Sequence, residues 1–82
     1  MNTERQILKN EHLALKHKKM ELAVEAGGKI ASIKNLLARA SLSPISEIDM
    51  EVVALLAIEA RDLRRQYMDV CTKMAQVEKE LE

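Results

Sequence analysis

The chain has 82 residues, of which 48% are hydrophobic and 32% are charged, and it contains one tyrosine, no phenylalanine and no tryptophan. This length sets an upper limit of one domain. Abundant aliphatic and charged residues, with only two glycines and one proline, are typical of long helices. We therefore expect an all-α protein with a single helical domain over residues 1–82.

The formal charges of the two halves differ, although the net charge is zero. Residues 1–40 carry eight Lys/Arg and four Asp/Glu, a balance of +4, whereas residues 41–82 carry five and nine, a balance of −4. Opposite charges favour attraction between the halves, although an exposed ion pair contributes only ~0.2–1 kcal/mol. A basic face that binds nucleic acid is the alternative interpretation.

The first predicted helix spans about residues 3–40. Apolar residues recur along it at steps of seven, or of three and four, which is the helical period. This stripe consists of Leu8, Leu15, Leu22, Ala26, Ile30, Ile33, Leu37 and Ala40. It is narrow in the first half, where Arg5, His12 and Lys19 occupy the second seam position, and it broadens in the second half to include Leu36.

Gly27 and Gly28 lie inside this helix, and each costs ~1 kcal/mol relative to alanine. Three interpretations stay open: a tolerated flaw or kink, a close approach by another helix, or a real break. The break would give a three-helix arrangement with helices at 3–26, 28–40 and 44–81.

Ser41-Leu42-Ser43-Pro44 separates two helical patterns and predicts a turn over residues 41–44. The second helix is expected over about 44–81, with Ser43 as its N-cap and Pro44 in the first helical position. Ser46 with Asp49 offers a competing capping box. A heptad pattern from Val53 to Leu81 predicts the seam that holds this helix to the first. Its main residues are Leu56, Leu63, Tyr67, Val70 and Met74.

These elements predict an antiparallel helical hairpin. Residues 50–58 are apolar on almost every side, and one neighbouring helix cannot cover such a segment. We therefore expect two hairpins to form a homodimer, a four-helix bundle. The predicted oligomer interface consists of Ile33, Leu37, Val52, Leu55 and Ile58.

Few residues suggest catalysis. His12 and His17 are five residues apart, so they lie on different faces of a helix and do not form a metal-binding pair. The lone cysteine, Cys71, has no partner for an intrachain disulfide, which fits a reducing compartment. The sequence contains no phosphate-binding glycine loop and no nucleophile elbow. We expect no enzyme activity, no catalytic residue, no metal, no cofactor and no small-molecule substrate.

The N-terminal segment lacks the apolar region of a signal peptide. No run approaches the ~18 apolar residues of a membrane-spanning helix. We therefore expect a cytoplasmic protein that makes no membrane contact.

The function expected from these patterns is that of a small helical interaction module: an adaptor, an assembly factor or a chaperone-like protein. Its expected partner is a second copy of the chain or another helical protein. The alternative is a small dimeric regulator that associates with nucleic acid, since Lys/Arg side chains can neutralise phosphates. Its basic patch would consist of Lys16, Lys18, Lys19, Arg61, Arg64 and Arg65.

Overall fold

The computed structural model of the protein describes residues 2–40 and 42–82. Helix α1 spans Asn2–Ala40, a short 3-10 turn spans Ile45–Glu47, and helix α2 spans Met50–Leu81. The two helices pack along their length as a hairpin that measures 65 × 15 × 14 Å. The predicted all-α hairpin of two long helices is thus confirmed, while its association into a four-helix bundle remains a prediction.

The inner face of α2 follows the predicted heptad pattern. Every residue of that pattern is buried or half-buried, whereas most of their neighbours are exposed. Alternating steps of three and four keep these side chains on one side of a helix. They are Val53, Leu56, Ala60, Leu63, Tyr67, Val70, Met74, Val77 and Leu81.

The inner face of α1 also follows alternating steps of four and three, but it differs from the predicted stripe. Ile30 and Leu37 are each 46% exposed and lie beside the seam, whereas Lys29 and Leu36 occupy it. The lysine is tolerated because its aliphatic stem can lie against apolar neighbours while the ammonium group reaches outward. The complete seam is Leu8, His12, Leu15, Lys19, Leu22, Ala26, Lys29, Ile33, Leu36 and Ala40.

The core lies at the middle of the hairpin. Leu22, Leu63 and Val70 form a buried cluster, and Leu22 is the most completely enclosed of them at 2% exposed. Half-buried side chains of Leu15, Ala26, Tyr67 and Met74 pack against this cluster. Val77, which is 5% exposed, is a further buried residue of α2 nearer the termini, so the buried part of the seam extends from the middle of the hairpin towards its open end.

Helix α1 runs without interruption through Gly27 and Gly28. Neither glycine has a positive φ angle, both are exposed, and a Cβ at either position would meet no atom within 4 Å. Within this chain, the glycines therefore neither break the helix nor provide space for its neighbour.

Helix α2 begins at Met50, six residues later than the predicted start at Pro44. Pro44 has a ψ of 147°, which is extended backbone and not helical. The N-cap is Asp49, whose side chain accepts a hydrogen bond from the Val52 amide at 3.1 Å. A carboxylate at this position both satisfies a free amide and interacts favourably with the helix dipole.

The predicted turn at 41–44 becomes a longer connection. Its first residue, Ser41, lies outside the described residues. The Leu42 amide donates to the Arg39 carbonyl at 3.0 Å, and the Glu47 amide donates to the Pro44 carbonyl at 2.9 Å. The connection therefore consists of local backbone turns that place Leu42 and Ile45 almost fully in solvent.

Candidate interaction surfaces

The five residues predicted as the intrachain seam lie between the helices. Leu63 and Val70 are buried in the core cluster, and Tyr67 and Met74 pack against it. Leu56 is half-buried nearer the loop. The structure therefore brings this set together along one face of α2.

The five residues predicted as the oligomer interface occupy three different places. Val52, Leu55 and Ile58 are 40–56% exposed, and they follow one another at three-residue steps on the outer side of α2. Leu37 is exposed on α1, whereas Ile33 is half-buried on the α1 seam. We call the set Val52, Leu55 and Ile58 the loop-proximal surface.

The loop-proximal surface widens the apolar face of α2. Three-residue steps turn each successive side chain about 60° backwards around a helix, so Val52, Leu55 and Ile58 cover an arc of about 120°. This arc is as wide as the apolar face that a helix normally buries against a neighbour. Near its N-terminus, α2 thus has apolar surface for a second neighbour besides α1.

The six residues predicted as a basic patch are divided between different sides of the hairpin. Four of them line one side, namely Lys16, Lys19, Arg61 and Arg64. Lys18 instead contacts Glu21 at 3.9 Å, and Arg65 is exposed and does not line that side. The structure therefore brings together four of the six cations.

These four cations border an open depression between the helices, which we call the lateral groove. Its two sections enclose about 380 and 340 Å³ and share Ala23 and Tyr67. The section nearer the loop is lined by Leu22, Ala23, Ala26, Ile30, Ala60, Arg61, Arg64 and Tyr67. The section nearer the termini is lined by His12, Lys16, Lys19, Met20, Ala23, Tyr67 and Met74.

The lateral groove exists because small residues meet along it. Ala26 and Ala60 occupy seam positions on the two helices, and their methyl groups leave space that larger aliphatic side chains would fill. Ala23 extends this space onto the flank of α1. The floor is therefore apolar in the section nearer the loop, whereas the seam residues His12 and Lys19 line the section nearer the termini.

The groove cations differ in how they are neutralised. Arg61 contacts Asp62 at 3.3 Å, and the Lys19 ammonium lies 5.6 Å from the centre of the Tyr67 ring, a cation–π geometry. Lys16 and Arg64 form no ion pair within the described residues. The groove therefore presents positive charge that this part of the chain does not compensate.

One hydrogen bond and one ion pair between side chains cross from helix to helix along the seam. His12 Nε2 lies 2.9 Å from Glu78 Oε1, and Lys29 Nζ lies 2.8 Å from Glu59 Oε2. The hydrogen bond and the negative charge of Glu59 raise the pKa of Lys29 above its ordinary value of 10.5, while desolvation acts in the opposite direction. This pair stabilises a lysine at a position where the pattern otherwise places an apolar residue.

The lateral groove was not predicted from the sequence. The sequence does contain a signal for it, because Ala23, Ala26 and Ala60 are small residues near Ile30, an apolar residue that the seam leaves exposed. Recognising the groove requires knowing which residues of the two helices are level with each other. A hairpin that turns near Leu42 and Ser43 makes the numbers of facing residues sum to about 85 and so predicts that Lys19 is level with Gln66. In the structure Lys19 lies against Tyr67, one residue further along α2.

No family model, curated protein or solved structure matches this chain. Within residues 2–40 and 42–82, no three His, Cys, Asp or Glu side chains are grouped so that they could hold a metal ion. Neither described helix combines the length and apolar character needed to cross a membrane.

Proposed function

We propose that this chain is a non-enzymatic helical interaction module, an adaptor, assembly factor or chaperone-like protein, that acts through self-association and helix–helix contacts. One observation carries the proposal. Among the described residues, four apolar side chains are buried, whereas thirteen large ones are at least 40% exposed. So small a core falls short of what usually keeps a chain of about 80 residues folded as a monomer. We therefore expect another chain to cover part of this exposed surface.

The simplest partner that could bury this exposed apolar surface is a second copy of the chain, and the two hairpins would then form a four-helix bundle. Each helix of such a bundle contacts two neighbours, and the loop-proximal surface gives α2 an apolar arc for its second neighbour. Val52, Leu55 and Ile58 lie within two turns of one another. A contiguous exposed apolar patch on a protein surface commonly marks a protein–protein contact.

Solution mass tests this proposal. Light scattering behind a sizing column should give a dimer of about twice the 9.3 kDa chain mass across a range of protein concentrations. A well-folded monomer at every concentration would contradict self-association.

A matched pair of variants tests where the copies meet. Ile58→Glu places a charge in the loop-proximal surface and should shift the protein towards monomer. Ile7→Glu makes the same change at a residue that is 58% exposed near the other end of the hairpin, and it should leave the mass unchanged. Equal masses for both variants and the wild type would refute this interface.

A further inference from the structure

We propose that the lateral groove binds an acidic amphipathic helix of another protein. This inference is independent of self-association, because the groove and the loop-proximal surface share no residue. It rests on three properties of the groove: its largely apolar lining, its length and the positive charge along it, where Lys16 and Arg64 have no ion-pair partner among the described residues.

The shape of the groove fits a third helix. Two packed helices present a continuous furrow in which side chains of another helix can interdigitate, and Ala23, Ala26 and Ala60 widen this furrow at its centre. On α1 the lining extends from His12 to Ile30. At 1.5 Å per residue this corresponds to about 27 Å, the length of a helix of about 18 residues.

The charge of the groove selects an acidic partner. Lys16 and Lys19 line the section nearer the termini, and Arg61 and Arg64 line the section nearer the loop. An amphipathic helix with an apolar stripe and flanking glutamates would place the stripe on the floor and the carboxylates beside these cations. Such complementarity sets the orientation of a partner and excludes basic helices.

A second copy of this chain is a poorer occupant of the groove. A two-fold contact joins the same surface of both copies, so the cations of one groove would face those of the other. The lining residues include no carboxylate that could compensate them. Like charges brought together in this way oppose association.

Nucleic acid is also a poorer occupant, although it is attracted to the same cations. Binding of single strands usually depends on aromatic side chains that stack with bases. The chain has one aromatic residue, and that residue, Tyr67, is half-buried with the Lys19 ammonium over its ring. The apolar floor provides a hydrophobic contact that a phosphate backbone cannot use.

The test is a fluorescence-anisotropy titration with a labelled, designed helical peptide of about 18 residues. The peptide carries leucines along one stripe and glutamates on both sides of it, and a second peptide carries lysines in place of the glutamates. The wild-type protein should bind the acidic peptide, with weaker binding as salt increases, and should not bind the basic peptide. Binding of both peptides alike, or of neither, would overturn the proposal.

Neighbouring arginines provide a matched pair of variants. Arg64→Glu reverses a charge that lines the groove. It should raise the dissociation constant of the acidic peptide about tenfold or more, as expected for a charge that contacts a partner directly. Arg65→Glu makes the same change at an exposed residue outside the groove and should have little effect. Far-UV circular dichroism serves as the control that both variants remain helical. Equal effects of the two substitutions would refute the groove as the binding site.

Further measurements distinguish the acidic helix from the two other candidate ligands of the groove, nucleic acid and a second copy of the chain. A wild-type protein that binds a labelled DNA or RNA oligonucleotide but not the acidic peptide would overturn the proposal in favour of nucleic acid. A change of solution mass in Arg64→Glu without peptide would assign the groove to a second copy instead. Ile58→Glu should retain peptide binding even where it disrupts the dimer, so failure of the proposed self-association and failure of the groove proposal are distinguishable.

Discussion

Replacing the two glycines of α1 by alanine should stabilise the protein. Gly27 and Gly28 lie inside a continuous helix, are exposed, and have space for a Cβ with no atom within 4 Å. The native backbone therefore accepts alanine without strain. Alanine also reduces the conformational freedom of the unfolded chain, which raises the free energy of unfolding.

The expected magnitude follows from the helix propensities of the two residues. Glycine is about 0.8–1.0 kcal/mol less favourable than alanine in a helix interior, so Gly27→Ala and Gly28→Ala together should add about 2 kcal/mol per chain. The two effects should be nearly additive because neither side chain would have a partner. The hydrogen bond from Ser32 Oγ to the Gly28 carbonyl, 3.1 Å long, uses backbone and should persist.

Thermal and urea unfolding followed by far-UV circular dichroism, at one chain concentration, measure this change. The melting temperature should rise by about 4–8 °C for each kcal/mol. The control Ala31→Gly introduces a glycine at another exposed position of α1 and should lower stability by about 1 kcal/mol. A loss of stability in Gly27→Ala or Gly28→Ala would refute this reasoning and would indicate that another helix approaches the glycines closely.

Three further predictions concern the core, the start of α2 and the seam. Leu22→Ala should lower the free energy of unfolding by about 2–5 kcal/mol, because it leaves a cavity in the core. A loss of less than about 1 kcal/mol in urea denaturation would contradict the burial of Leu22. Asp49→Ala should cost about 1 kcal/mol as loss of an N-cap, whereas Ser43→Ala should cost little; the reverse order in thermal unfolding would place the helix start earlier. The raised pKa of Lys29 means that its contribution to stability is fully present below 10.5 and is lost as pH rises through the folded-state value. Glu59→Gln should remove this alkaline loss, and melting curves that fall equally with pH in both proteins would contradict it.

The pairing of the helices could be predicted from the sequence because the heptad pattern of α2 is nearly free of exceptions. Every seam position from Val53 to Leu81 carries an apolar residue, and each is shielded from solvent. The seam of α1 was harder to predict, since Lys29 lies within it and Ile30 lies beside it. Hydrophobicity alone predicts that Ile30 occupies the seam position. In the structure Lys29 occupies it, because the seam follows steps of four and three and because Lys29 pairs with Glu59.

The start of α2 was predicted too early because two N-cap signals compete. Ser43 before Pro44 is a common helix start, and the second predicted signal is a capping box in which Ser46 is the N-cap and Asp49 its partner three residues later. Sequence pattern alone does not rank them. In the structure, extended backbone at Pro44 and a short 3-10 turn precede the helix, which starts where the Asp49 carboxylate accepts a backbone amide.

Basic residues that are adjacent in the sequence of the predicted basic patch do not lie on the same side of the hairpin. Lys18 and Lys19 are adjacent, as are Arg64 and Arg65, yet in each pair only one member lines the lateral groove. Successive residues point about 100° apart on a helix. The sequence could therefore predict that the basic residues of α1 and α2 lie at a similar height along the hairpin. It could not predict which of them line the same side of it.

The opposite formal charges of the two halves produce few direct contacts between the helices. Among the described residues, the Lys29–Glu59 ion pair and the His12–Glu78 hydrogen bond join α1 to α2, while the other ion pairs are local contacts within one helix. Because exposed pairs contribute little, packing of the apolar seam has to provide most of the stability. Most of the remaining charged residues lie on the outer sides of the hairpin. Lys16 and Arg64 have no ion-pair partner among the described residues, and they are the groove cations that we propose an acidic helix contacts.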